Sequence, residues 1–163
     1  ARSGQLSTMY DMEVADSLGE LSETMQMYIK TVHDIEGSKG AARVTDIATA
    51  LEVKKASVTS ALRNLSTRGL VNYTPYDVIT LTDSGRRIAE ELDRRYQALH
   101  DFFVTVLGID PETADKDACS LEHHVSETLH QRLVGFIEYY QTCTDVKFRW
   151  DPRLGEFCTD PEP

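Results

Sequence analysis

Cysteine, proline and long apolar runs are all scarce in this sequence of 163 residues. It contains three cysteines, and so small a number does not make a disulfide scaffold. We therefore expect a reducing, cytoplasmic location. No apolar run approaches the roughly 20 residues that a membrane-spanning helix needs, and no signal-peptide segment opens the sequence. The sequence thus predicts a protein that has no membrane partner.

Basic side chains are fewer than acidic ones, 17 against 27, which gives a formal net charge of −10. This excess of acid argues against nucleic-acid binding by the chain as a whole, but the charge is unevenly distributed. Residues 41–95 carry nine basic and seven acidic side chains, whereas residues 1–40 and 96–163 have net charges of −4 and −8. We therefore expect the middle segment to approach phosphate. The acidic flanks are either a solvated surface or part of a site that collects a divalent cation.

The hydrophobic periodicity predicts a mainly α-helical fold. A helix over residues 21–36, capped by Ser22, precedes two short helices over residues 44–51 and 56–68. Two short strands follow, over residues 70–73 and 78–81.

Two longer helices are expected next, from about residue 82 to 107 and from residue 115 or 118 to Tyr140. The tail beyond the last helix is predicted to be irregular. Its Cys143 and Cys158 have no histidine nearby, so they make a weak zinc site. The apolar stripe predicted for the last helix consists of Leu121, Val125, Leu129, Leu133 and Phe136.

Helix, short turn, helix and two-stranded ribbon is the layout of a winged helix-turn-helix DNA-binding domain. The second helix of the pair has small polar and basic side chains on its outer face, which can enter a major groove. The alternative is a helical hairpin that serves only for packing. The residues that we expect to contact DNA are Lys54, Lys55, Ser57, Thr59, Ser60, Arg63, Asn64 and, at the tip of the ribbon, Tyr76.

Cys119, Glu122 and His123 form the pattern C-x-x-E-H near the acidic end of the chain. On an ideal helix these three side chains project within roughly 100° of one another and away from the apolar stripe. A thiolate and an imidazole select a transition metal over Mg²⁺ or Ca²⁺, and the carboxylate shifts the preference toward Fe²⁺ or Mn²⁺. Three neighbouring polar residues on a surface are the alternative interpretation. Met27 lies off the apolar stripe of the first helix and is either a surface residue, a packing residue or a soft thioether ligand.

The segment from Met27 to Glu36, the winged middle and the segment from Asp117 to His124 together resemble the metal-dependent repressors related to the diphtheria toxin repressor and the manganese transport regulator. The resemblance covers about residues 21–140 in one colinear order. It implies a homodimer whose C-terminal helices dimerise and whose DNA binding is activated by metal. The length resembles that of the manganese branch, without the SH3-like domain of longer iron regulators.

The resemblance also implies a ligand set. Met27, Cys119, Glu122 and His123 match the primary site of the iron-type members, whereas manganese-type members have Asp and Glu in place of Met27 and Cys119. A metal held by all four would tie the two halves of each subunit together. The secondary site of the iron branch is matched poorly, because Tyr96, His100 and Asp115 stand at its positions. His100 and Asp115 are therefore a possible second site, or His100 packs at the edge of its helix.

These observations predict a metal-dependent transcriptional regulator that represses metal-uptake genes by binding palindromic operator DNA, and not an enzyme. Fe²⁺ is favoured over Mn²⁺, and Co²⁺, Ni²⁺ or Zn²⁺ can substitute in vitro. The alternative function is a winged-helix regulator that responds to a non-metal ligand. We expect four parts: an N-terminal extension of unknown role (1–20), a winged helix-turn-helix domain (21–90), a helical metal-binding and dimerisation domain (91–142) and a tail (143–163).

Overall fold

The computed structural model describes residue 14, residues 17–142 and residues 148–159. Most of these residues are helical, which confirms the predicted fold class. The chain divides into two compact units, Ala1–Leu92 and Asp93–Pro163. Among the helices of the described part, none is long and apolar enough to cross a membrane.

The N-terminal unit is a three-helix cluster followed by a small two-stranded sheet. The helix α1 begins after Ser22, whose hydroxyl accepts a hydrogen bond from the Met25 amide, and ends at Gly40 with φ of +81°. The elements of this unit are α1 (Glu23–Lys39), α2 (Val44–Ala50), α3 (Lys55–Thr67), β1 (Val71–Asn72), β2 (Thr80–Leu81) and the first half of α4 (Asp83–Asp101).

One apolar core holds the helices of this unit and its ribbon together. Val58, Leu62 and Leu65, on the inner face of α3, are fully buried. The ribbon is antiparallel, with Val71 opposite Leu81, and it follows α3 directly. Because the apolar side of α3 is fixed in the core, its polar side must face solvent.

Gly85, in the first turn of α4, lies close to the backbone that enters the ribbon. A Cβ atom at this position would lie 2.0 Å from the carbonyl oxygen of Leu70. The Thr82 hydroxyl, just before α4, donates to the Gly69 carbonyl at 2.7 Å and accepts from the Gly85 amide at 3.1 Å. Only glycine therefore allows the start of α4 to pack against the backbone of Leu70, which leads into the ribbon.

The C-terminal unit contains the second half of α4 and a series of shorter elements. A π-helical turn follows α4 and ends at the predicted limit of the long helix. The elements are the π turn (Phe102–Val106), α5 (Pro111–Leu121), a 3₁₀ turn (Glu122–His124), α6 (Glu127–Thr142), β3 (Phe148–Asp151) and β4 (Glu156–Thr159).

The prediction of a single last helix up to Tyr140 was wrong, because the chain is broken between Leu121 and Glu127. Val125 is extended, with ψ of 121°, and its carbonyl accepts from the Arg95 guanidinium at 2.7 Å. Ser126 then starts α6 by accepting from the Leu129 amide at 3.2 Å. The predicted apolar stripe is also broken, since Leu121, Leu129 and Phe136 are 43%, 47% and 45% exposed.

The prediction of an irregular tail was wrong as well. Strands β3 and β4 form an antiparallel hairpin in which Trp150 pairs with Phe157 and Arg149 with Cys158. Cys158 is a free, half-buried thiol on β4. Cys143 lies outside the described residues.

Candidate functional site

The polar face of α3 carries the side chains that the sequence assigned to DNA contact. Lys54, the residue before the helix, is exposed, and of the assigned residues on α3 only Thr59 is partly buried. Asn64 is engaged locally, because its side-chain oxygen accepts from Arg68 Nε at 3.0 Å. Within the described residues, Lys55 and Arg63 make no side-chain hydrogen bond or ion pair. Their charges are therefore available to an anionic ligand.

These residues form two ridges on α3. Lys55, Thr59 and Arg63 are spaced four apart and line one groove, whereas Ser57 and Ser60 line another between α1 and α3. At 100° per residue, the centres of the two ridges are separated by about 130° around the helix axis. A helix lying in a major groove can use both sides in this way, one toward each wall.

The groove between α3 and the ribbon is the larger of the two, with a volume of about 670 Å³. Arg43, Lys55 and Arg63 supply three positive charges to its lining, against one negative charge from Asp77. Arg43 was missed in the sequence, although it belongs to the basic segment, because it precedes α2 and is 12 residues from Lys55. The remaining lining residues are Val44, Thr45, Thr59, Tyr73, Pro75, Tyr76 and Val78.

Tyr76 forms the tip of the ribbon. Its side chain is fully exposed and its φ angle is +68°, a left-handed conformation that is rare for a bulky residue. The turn is held by Asp77, whose amide donates to the Thr74 carbonyl at 3.1 Å and whose carboxylate accepts from the Val78 amide at 2.8 Å. The chain therefore holds an aromatic ring in solvent at the mouth of a basic groove, at a cost in backbone strain.

In the C-terminal unit, Glu122 and His123 lie side by side on the 3₁₀ turn. Their Oε1 and Nε2 atoms are 3.6 Å apart, and their side chains are 0% and 5% exposed. The sequence placed Glu122 on an outward helical face, and this expectation was wrong, since the turn after Leu121 directs the carboxylate inward. A carboxylate oxygen and an imidazole nitrogen this close together are two ligand types that a transition-metal cation accepts.

Cys119 lies three residues before Glu122 on α5 and is exposed. Within the described residues, the sulfur, carboxylate and imidazole of the C-x-x-E-H pattern are not all within 4.8 Å of one another. The structure therefore brings together the carboxylate and the imidazole and leaves the thiol at the surface. A thiol, a carboxylate and an imidazole together make a donor set that fits a transition-metal cation.

Tyr96 on α4 is a neighbour of these residues that the sequence did not single out as part of the primary site. Its hydroxyl donates to Asp115 Oδ1 at 2.5 Å. This hydrogen bond, with burial and the nearby charges of Asp115, Cys119 and Glu122, raises the pKa of Tyr96 to about 12. A phenol that stays protonated is a donor and a poor metal ligand.

Both residues of the possible second site, His100 and Asp115, contact Tyr96. Asp115 accepts from Tyr96, and the His100 ring stacks on the Tyr96 ring with centroids 5.8 Å apart. His100 Nδ1 lies 3.7 Å from the carboxylate of Asp101. The remaining predicted ligand, Met27, lies on α1 in the N-terminal unit, where it is 42% exposed, in agreement with its position off the apolar stripe.

A winged helix-turn-helix with a basic groove, followed in the chain by a helical unit with metal-ligand chemistry, defines a metal-dependent transcriptional regulator. Residues 20–79 match the family model for the iron dependent repressor N-terminal DNA binding domain. Residues 82–151 match the model for the iron dependent repressor metal binding and dimerisation domain. The chain belongs to the iron dependent repressor family.

Curated relatives agree with this assignment. The chain is 32% identical over 122 residues to an uncharacterised HTH-type transcriptional regulator of Methanocaldococcus jannaschii. The aligned region covers 74% of this chain and 98% of the relative. It is 37% identical over 105 residues to the transcriptional regulator MntR of Escherichia coli, covering 64% and 67% of the two chains. These relatives are transcriptional regulators rather than enzymes.

Solved structures show the same fold. The crystal structure of T. acidophilum IdeR superposes with a TM-score of 0.63 at 26% identity, over 73% of this chain and 55% of that one. A manganese-dependent transcriptional repressor in complex with manganese superposes with a TM-score of 0.64 at 28% identity, over 84% and 63%. The chain therefore spans about half to two thirds of the length of these proteins.

Proposed function

We propose that this protein is a cytoplasmic repressor of metal-uptake genes, which binds palindromic operator DNA as a homodimer when a divalent metal is bound. The observation that carries the proposal is that one chain combines a basic groove beside α3 with a buried carboxylate–imidazole pair. A regulator that senses an organic molecule would need the groove but not the buried Glu122–His123 pair.

The DNA-contacting residues are proposed from their position on the groove and on α3. Lys55 and Arg63 neutralise phosphates along one wall, and Arg43 adds a third charge. Ser57 and Ser60 offer short hydroxyls on the other ridge, suited to base edges or phosphates. Tyr76 reaches the backbone beyond the groove from the tip of the ribbon.

The residues proposed to hold the cation are Cys119, Glu122 and His123, together with Met27 from the resemblance to iron-type repressors. When bound, the cation supplies positive charge that compensates the buried carboxylate and the thiolate. Arg95 acts as a support, because its hydrogen bond to Val125 fixes the turn that carries Glu122 and His123. Tyr96 keeps its proton and donates it in a hydrogen bond to Asp115.

The preferred metal is proposed to be Fe²⁺ rather than Mn²⁺. Thioether and thiolate donors are soft, and they favour Fe²⁺ over the harder Mn²⁺. Replacing Cys119 by Ser keeps the size of the side chain but removes the soft donor. We expect the ratio of Fe²⁺ to Mn²⁺ affinity, measured anaerobically, to fall in Cys119→Ser, and an unchanged ratio would remove the thiol from the site.

The test of the whole proposal is anaerobic binding of a fluorescent palindromic operator with Fe²⁺, with Mn²⁺ and with a chelator. Equal binding in the presence of chelator would favour the alternative, a winged-helix regulator that responds to a non-metal ligand.

Glu122→Gln provides the matched ligand test, because it replaces a buried charge by an amide of the same shape. Its metal affinity should fall by at least the roughly 10–100-fold that loss of an outer-shell partner costs. Glu112→Gln, at an 82% exposed position on the preceding helix α5, is the control and should leave metal affinity unchanged. If both variants bind metal like the wild type, Glu122 is not a ligand.

A further inference from the structure

Strand alternation gives the β3–β4 hairpin two chemically different faces. Phe148 and Trp150 lie on one face of β3, and the register places Phe157 on the same face, opposite Trp150. The rings of Trp150 and Phe157 meet edge to face with centroids 5.2 Å apart. The opposite face carries Arg149 and Glu156 among other residues. We call the first side the aromatic face of the hairpin.

The hairpin is seated on α6 and on the loop that follows the π turn. The Tyr140 hydroxyl accepts from the Phe148 amide at 2.8 Å and donates to the Phe148 carbonyl at 3.1 Å. A Cβ atom at Gly108 would lie 3.7 Å from the Cβ of Trp150, which is ordinary van der Waals contact. The position of the aromatic face is therefore fixed by the fold of the C-terminal unit.

These contacts leave much of the aromatic face uncovered. Phe148, Trp150 and Phe157 remain 46%, 42% and 47% exposed, and Leu154 in the turn is 63% exposed. Large side chains that are half covered by their own unit and half exposed together mark an interaction surface more often than a solvated one.

The aromatic face is continuous with the exposed apolar side of α6. A ladder of rings runs from Phe102 through Phe136 and Tyr140 to Phe148, with centroid separations of 5.9, 6.2 and 6.4 Å. Phe136, in the middle of this ladder, is itself 45% exposed. The segment that matches the metal binding and dimerisation domain ends at residue 151, within the hairpin.

We propose that the aromatic face of the hairpin extends the dimer interface and is covered there by a second copy of this chain. The inference rests on the proposed function, which requires a dimer. Two copies that each carry a net charge of −10 repel one another. Contact through an uncharged aromatic patch meets less of this repulsion than contact through an acidic surface. A two-fold axis would place the same patch on both sides of the contact.

The proposal is tested by the dimer dissociation constant, measured by sedimentation equilibrium on the whole chain. Phe157→Lys should raise this constant by about tenfold or more, the loss typical of a buried aromatic anchor. Leu154→Lys changes only the exposed turn and should act in the same direction while leaving the hairpin folded. Glu156→Gln, on the opposite face, is the matched control and should not weaken the dimer.

Trp150 is the single tryptophan of the sequence and reports directly on this surface. We expect its emission to shift to the red when the wild type is diluted through the dimer dissociation constant. The proposal is overturned if Leu154→Lys and Phe157→Lys both dimerise like the wild type, or if the emission wavelength of Trp150 stays the same when the dimer dissociates. If the two lysine variants dimerise normally and still bind operator DNA in response to metal, only the proposal about the hairpin fails and the proposed function remains. If the wild type never dimerises, both the hairpin proposal and the proposed function fail.

Discussion

The salt dependence of operator binding provides the most direct test of the basic groove. Each phosphate that a cationic side chain neutralises adds about 0.9 to the slope of log K against log salt for duplex DNA. Arg43, Lys55 and Arg63 line the groove, so the triple alanine variant should lower the slope by up to about 2.7. The reason is that each cationic side chain in contact with a phosphate releases counterions from the DNA, and the variant has lost three such contacts.

The same numbers set the size of the change in affinity. When the salt is raised from 50 to 200 mM, the operator affinity of the wild type should fall by a factor about 40 times larger than that of the variant, which has lost three phosphate contacts. The variant should also be weaker at every salt concentration in this range. Fluorescence anisotropy of a labelled operator, at saturating metal and at four or more salt concentrations, gives both quantities.

Lys116→Ala is the control for net charge, because Lys116 lies on α5 and pairs with Glu112 in solvent, far along the chain from the groove residues. Its slope should match that of the wild type. If the triple variant kept the slope of the wild type, the groove would not be the surface that contacts phosphate, whatever happened to the affinity.

Three further predictions concern single side chains. Gly85→Ala should lower the free energy of unfolding by about 2–4 kcal/mol in urea, because its Cβ would meet the Leu70 carbonyl oxygen at 2.0 Å, and a variant as stable as the wild type would contradict that contact. Tyr96, with its pKa raised from 10.0 to about 12, should contribute stability that is complete below pH 10 and is lost as the pH rises toward 12. In a spectrophotometric titration, Tyr96→Phe should lack the latest-ionising phenol, and an identical titration in both proteins would refute the assignment. Met27→Ala should reduce metal-activated DNA binding more than it reduces metal affinity measured by calorimetry, and equal losses would make Met27 an ordinary ligand.

Local sequence patterns predicted the N-terminal unit well. The cap at Ser22 and the polar outer face of α3 depend on residues within one or two turns of each other. The end of α1 was predicted at residue 36, three residues before its observed end at Lys39. The wing followed from two short β-rich runs around Pro75. Arg43 was missed because its place in the groove depends on how α2 and the ribbon pack, and no local pattern records that.

The C-terminal unit was predicted less well because distant contacts override its local pattern. An apolar period that continues through Val125 predicts one helix, but the helix ends at Leu121 and the extended Val125 gives its carbonyl to Arg95, 30 residues earlier. Glu122 lies on the 3₁₀ turn within this break and is buried rather than exposed. The hairpin did carry a signal, since Phe148 and Trp150 alternate with polar residues before a turn that ends at Gly155 with φ of +68°.

The uneven distribution of charge explains how so acidic a chain can approach DNA. At 0.1 M salt an exposed charge is screened beyond about 10 Å, so a phosphate in the groove responds to Arg43, Lys55 and Arg63 and hardly to the net charge. Charges that lie farther than this screening length from the DNA act mainly on the rate of encounter, because their repulsion reaches further as the salt is diluted. At low ionic strength, counterion release therefore strengthens DNA binding while long-range repulsion weakens it. The slope that reports on the groove is best measured at or above about 0.1 M salt, where the repulsion is short-ranged.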